Sequence, residues 1–110
     1  MIVTVLRSRL RPDVQDDYRL VADRMNELAR EIPGYISHRG FVATDGERVT
    51  IVEFESEAAL QGWRTHPEHM DAKRRGYRSF YTHFDFQICN VIRKSSWAAK
   101  TDLQIPPDGS

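Results

Sequence analysis

Positions 2–10 alternate, with Ile2, Thr4, Leu6, Ser8 and Leu10 on one side and Val3, Val5, Arg7 and Arg9 on the other. That two-residue period predicts a first strand. Pro12-Asp13 then signals a helix start, with Asp13 as the candidate N-cap and Asp16 and Asp17 placed to favour the positive end of the helix dipole. Tyr18, Val21, Ala22, Met25, Leu28, Ala29 and Ile32 recur at steps of three and four, so the helix should run to about Ile32 and present one apolar stripe to a sheet. Pro33-Gly34 ends it, because the residue before a proline is pushed out of helical geometry and glycine accepts the left-handed conformation that follows. Two strands, Tyr35 to Ala43 and Arg48 to Glu55, are joined by Thr44-Asp45-Gly46-Glu47, where Asp-Gly suits a tight hairpin. Ser56 caps a second helix with Ala59, Leu60 and Trp63 on one face. Thr65-His66-Pro67 breaks and restarts it, and helix continues towards Tyr81. A last strand follows, in which Phe84, Phe86, Ile88, Asn90 and Ile92 alternate with Asp85, Gln87, Cys89, Val91 and Arg93. The order strand, helix, strand, strand, helix, strand predicts an α+β fold of the ferredoxin-like βαββαβ type, an antiparallel sheet with both helices on one face.

Composition narrows this picture. The 110 residues fit one domain, with 40% hydrophobic and 29% charged residues, too apolar for a disordered chain. Residues 1–94 carry the domain pattern, and 95–110 form a polar tail whose Trp97, Leu103 and Ile105 could dock on the domain or on a second subunit. The zero net charge argues against nucleic acid, since the short basic run Lys73-Arg74-Arg75 follows Glu68 and Asp71 and reads as a solvated helix face. RNA-recognition domains share the βαββαβ order, but Glu53 and Glu55 stand where such a domain needs a basic, aromatic surface. The single Cys89 cannot form an internal disulfide, and no stretch approaches the length of a membrane span. The opening Met1-Ile2-Val3-Thr4 has no basic region before an apolar run, so a cytoplasmic protein is expected. One layer of helices leaves the apolar faces of Val49–Glu55 and Phe84–Ile92 partly uncovered, which predicts a homodimer.

The candidate chemistry centres on Trp63, His66 and His69, an i, i+3, i+6 row able to look into one cavity. One histidine can serve as a general base or orienting donor, because an imidazole exchanges its proton near neutral pH. The structural alternative makes His66 a helix-start residue before Pro67 and His69 a polar edge residue. A metal reading of His66-x-x-His69 needs a third ligand from His38, His83 or a carboxylate, and no ligand-spacing motif supplies one, so no metal is expected. Tyr77, Phe80 and Tyr81 read as core and pocket wall, and Ser8 and Arg39 as residues of the pocket mouth.

Glu31-Ile32-Pro33-Gly34-Tyr35-Ile36, Glu53-Phe54-Glu55-Ser56-Glu57-Ala58-Ala59-Leu60, Trp63-Arg64-Thr65-His66-Pro67-Glu68-His69 and the later Gly76, Phe80-Tyr81 and Phe84 together form a pattern over roughly residues 1–94. In that pattern the chain resembles the antibiotic biosynthesis monooxygenase family, a branch of the dimeric α+β barrel proteins. The resemblance implies two sheets facing each other in a dimer, and a small-molecule pocket between sheet and helices. It further implies oxygen insertion into a small aromatic substrate of the phenol or quinol type, without flavin, haem or metal. On that reading His69 takes the proton, Trp63 packs the ring, His66 supports it, and Ser8, Tyr77 and Tyr81 contact the substrate. Other members of the superfamily degrade haem. They carry an asparagine on the first strand and an axial histidine further along the second helix, whereas here the strand position falls near Ser8 and Met70-Asp71-Ala72-Lys73-Arg74-Arg75 offers no histidine. A catalytically silent dimer that binds a small ligand is the remaining alternative.

Overall fold

The computed structural model describes residues 1–99. Its elements are β1 (Ile2–Leu10), α1 (Gln15–Arg30), β2 (Tyr35–Val42), β3 (Arg48–Phe54), α2 (Glu57–Arg64), α3 (Pro67–Arg75), a π-helical turn (Gly76–Phe80) and β4 (Tyr81–Asn90). The four strands form one antiparallel sheet in the order β2-β3-β1-β4, the arrangement expected of a βαββαβ chain. Residues 91–99 follow without regular structure, and Trp97 among them is exposed. The expected docking of Leu103 and Ile105 lies outside the described residues.

Alternation along the strands sorts the two faces. Ile2, Thr4 and Leu6 of β1 pair with Phe54, Val52 and Thr50 of β3, and all point towards the helices. There Ile2, Val52 and Phe54 pack with Leu28 and Ala29 of α1 and Ala59, Leu60 and Trp63 of α2 in one core. The opposite face carries Val3, Val5, Val49 and Ile51, flanked by Arg7, Arg9 and Glu53. Phe84, Phe86 and Ile88 pair with Ser8, Leu6 and Thr4, so the apolar side of β4 lies on the helix side. This corrects the expectation that it adds to the open face. The helices stop short of this edge strand, leaving Phe86 45% and Ile88 44% exposed.

Local differences from the sequence reading have identifiable causes. Asp13 adopts a left-handed conformation (φ 65°), and the N-cap position falls to Val14 without a side-chain cap. Helix α1 ends at Arg30, and a turn carries Ile32 to Gly34. A bulge between Tyr35 and Ser37 inserts one extra residue, so that His38 rather than Ser37 shares the helix-side face with Val52. At the end of α3 the π-helical turn closes with the Tyr81 N–H on the Gly76 carbonyl, and β4 begins at Tyr81, earlier than the Phe84 expected. The Tyr81 ring lies over Gly76, where a Cβ would stand 2.7 Å from it.

Gly34 joins α1 to β2 with φ +89°, and a Cβ there would meet the Ala59 Cβ at 2.6 Å. Both the backbone conformation and the close helix approach require glycine. Gly34→Ala is expected to destabilise the fold by at least about 2 kcal/mol. At this chain length that lowers the melting temperature by roughly 8 °C or more. An unchanged thermal transition would show that the α1–β2 turn can relax around a side chain.

Candidate functional site

A cavity of about 280 Å³ opens between the helix-side face of the sheet and the three helices. Thr4, Leu6, Thr50, Val52, Phe84 and Phe86 form its floor, Val21, Ala22 and Met25 of α1 one wall, and Leu60, Trp63, His69 and Ala72 of α2 and α3 another. It is slightly below the roughly 300–1,000 Å³ of drug-sized pockets. Since an apolar void of about 150 Å³ accepts benzene, one or two fused rings fit.

The imidazole end of the cavity is built by the break between α2 and α3. Ser56 caps α2 by accepting from the Ala59 N–H at 3.2 Å, which orients Leu60 and Trp63 inward. Pro67 starts α3 at its first position, and His66 caps it, its Nδ1 accepting from the Glu68 N–H at 3.2 Å. In a continuous helix the N–H of residue 67 would bond to the Trp63 carbonyl, but proline has none. That carbonyl instead accepts from the His66 N–H at 3.2 Å and from His69 Nδ1 at 2.9 Å. The His69 ring stacks on the Trp63 indole with centroids 4.0 Å apart and planes 15° from parallel. His38 meets the Trp63 ring in an edge arrangement with centroids 6.5 Å apart.

This arrangement fixes a protonation state. A carbonyl only accepts, so Nδ1 of His69 carries the hydrogen and Nε2 the lone pair. Burial pushes the His69 pKa down to about 4, against the Trp63 hydrogen bond that favours the charged ring, and the nearby Lys73 charge adds to the depression. His38 is lowered too, chiefly by burial and further by the charge of Arg30. Both imidazoles are therefore neutral at neutral pH.

The other end of the cavity is aromatic. Tyr18 meets Phe80 and Tyr81 edge-on at 5.8 and 6.1 Å, and Phe84 meets Tyr77 and Tyr81 at 5.2 and 5.8 Å. Burial, reinforced by Tyr18, holds the Tyr81 phenol well above the usual tyrosine range, so it stays a neutral donor. Tyr77 is mostly exposed and stands at the mouth.

Of the residues singled out in the sequence, Trp63, His69, Tyr77 and Tyr81 come together around the cavity. His66 does not line it, its ring being spent on capping α3. Ser8 is 2% exposed and packs inside the fold beside Phe84, while Thr4 and Leu6 supply the β1 part of the lining. Arg39 points away, its guanidinium over Phe41. His38, Tyr18, Arg64 and Lys73 are lining residues with chemistry that the sequence did not assign to the pocket, and for His38 the cause is the bulge that turns it inward. Among the described residues no group of three or more His, Cys, Asp or Glu side chains is placed to hold a metal ion. No helix among them is long and apolar enough to cross a membrane.

A four-stranded antiparallel sheet with helices on one face and a cavity between the layers defines a ferredoxin-like α+β protein. Residues 1–75 match the model of the family described as antibiotic biosynthesis monooxygenase, and the chain belongs to that family. It is 28% identical over 98 residues to the uncharacterised protein YqjZ of Bacillus subtilis (strain 168), covering 89% of this chain and 86% of that protein. Its fold is similar to that of Rv0793 from Mycobacterium tuberculosis, with a TM-score of 0.78, 21% identity, and coverage of 86% of this chain and 98% of that one. It is similar also to SnoaB, a cofactor-independent oxygenase from Streptomyces nogalater, with a TM-score of 0.73, 13% identity, and coverage of 84% and 94%.

The His69 environment makes a pH prediction. Its folded pKa of about 4 lies below the ordinary 6.5, so between those values the unfolded chain binds the extra proton. Stability should therefore fall as pH drops from about 6.5 towards 4, by at most about 3 kcal/mol from this residue, with His38 acting in the same direction. Urea unfolding across this range, compared with His69→Gln, isolates the contribution of His69. Equal slopes in the two proteins, or an imidazole titrating near 6.5 by NMR, would contradict the buried neutral ring.

Proposed function

We propose that this protein is a cofactor-independent monooxygenase acting on a small planar phenol or quinol with dioxygen. The observation that carries the reading is His69, neutral, stacked on Trp63 and lining an apolar cavity, with Nε2 left to accept a proton. Membership of the monooxygenase family and the fold shared with a cofactor-independent oxygenase support it.

The substrate ring packs near Trp63 and the aromatic cluster, and its hydroxyl proton passes to His69 Nε2. An imidazole with a pKa of about 4 in the empty cavity is a weak base for a phenol. Formation of the phenolate beside it changes that balance, because an adjacent anion favours the imidazolium. The phenolate gives one electron to dioxygen, and the phenoxyl and superoxide radicals join through a carbon–oxygen bond. The resulting peroxide takes the proton back from His69. Loss of the ring C–H proton and cleavage of the O–O bond then yield a quinone, and the departing hydroxide leaves as water. Phenol plus dioxygen thus balances quinone plus water, with the substrate supplying all the electrons. The protein holds the ring, moves one proton and limits water.

A screen of phenols and quinols for oxygen uptake tests this reading. His69→Ala should lower turnover by about 10²–10⁴ with the fold intact, the range for loss of a general base. Full activity in that variant would remove His69 from the mechanism. Tight ligand binding without oxygen uptake across the screen would favour a silent binding protein.

The same reading includes a homodimer joined through the open sheet face. Val3, Val5, Val49 and Ile51 make that face apolar at its centre, Phe41 is 46% exposed at its edge, and no helix among the described residues covers it. Light scattering should give about twice the 12.8 kDa chain mass, and Val5→Lys should shift it towards monomer. A stable wild-type monomer at tens of micromolar would leave that face without a partner copy.

A further inference from the structure

The cavity lining holds two formal cations, Arg64 and Lys73, and no carboxylate. Arg64 ends α2 directly after Trp63, and Lys73 follows His69 by one turn of α3. Neither forms an ion pair among the described residues, whereas Arg7, Arg9, Arg24 and Arg74 all do. The acids nearest in sequence on α3 are already committed, Glu68 to Arg24 of α1 through two 3.0 Å hydrogen bonds and Asp71 to Arg74. Arg64 is half-buried at the lining, and Lys73, itself exposed, acts electrostatically on His69 inside the cavity. Two cations with no ion-pair partner among the described residues, beside an apolar cavity, form a ready-made site for one anionic group attached to an apolar body.

We propose that the ligand of this cavity is a planar aromatic carboxylate, its ring against Trp63 and its carboxylate held by Arg64 and Lys73. This rests on the reading above for the location of the site, and it narrows the substrate class to hydroxyaryl carboxylates. A guanidinium suits a carboxylate in particular, since its fork can donate two parallel hydrogen bonds. The carboxylate then anchors the ring at one end, leaving the hydroxyl for His69.

Calorimetric binding of naphthoate and its neutral counterpart naphthamide tests the inference without reading turnover, as neither carries an oxidisable hydroxyl. Naphthoate should bind at least about tenfold more tightly at low salt, with the preference shrinking as salt rises. Arg64→Gln and Lys73→Gln should each reduce the preference, and the double variant should abolish it while still binding naphthamide. Naphthalenesulfonate separates charge alone from carboxylate geometry, and binding it as tightly as naphthoate would overturn the carboxylate assignment. Equal binding of acid and amide, a preference that survives the double variant, or binding of neither probe would overturn the proposal. If naphthoate binds as expected but hydroxynaphthoate consumes no oxygen, the oxygenase reading fails alone. If neutral quinols turn over as fast as hydroxynaphthoate and bind as well, the anionic-ligand inference fails alone.

Discussion

The site depends on one backbone carbonyl that the sequence deprives of its helical partner. Pro67 cannot donate to Trp63, so the last turn of α2 would end with a poorly satisfied acceptor beside the cavity. His69 fills that vacancy at 2.9 Å. The same bond sets its tautomer, lays its ring over the indole and leaves Nε2 unengaged. A helix break that reads as ordinary punctuation thereby orients a base, and the Arg24–Glu68 contacts between α1 and α3 help hold the restarted helix in place.

Much of the fold was legible because its signals are periodic. The strand alternation in β1 and β3, the Asp-Gly hairpin, the Ser56 cap and the Thr65-His66-Pro67 break all specify structure through neighbouring residues alone. Face assignments failed where one extra residue enters the backbone. The bulge at Ile36 shifts β2 by one, which turns His38 into the cavity, and the π-helical turn delivers Tyr81 to a strand instead of a helix. Neither insertion leaves a local pattern, because each is settled by register against a distant partner.

The two histidines of the row show the same limit from another side. Spacing alone left His66 and His69 equivalent, both able to face one cavity. Capping separates them, since the residue before Pro67 must be extended and its ring is then positioned to accept from the Glu68 N–H. Ser8 is a related case. It shares the correct face of β1 with Thr4 and Leu6, yet the aromatic layer around Phe80 and Phe84 closes over that end of the strand.

Electrostatics give these placements a common direction. Burial keeps His38 and His69 neutral and Tyr81 protonated, while Arg64 and Lys73 stand at the lining. The lining thus holds two basic side chains and no carboxylate. In such a field a negative charge costs least when it resides on the ligand, either carried in as a substituent or formed there when a hydroxyl loses its proton. The depressed pKa of His69 comes first from burial and only then from the Lys73 charge, and it is this second, smaller contribution that disfavours an imidazolium in the empty cavity and favours an anion whose arrival would stabilise it.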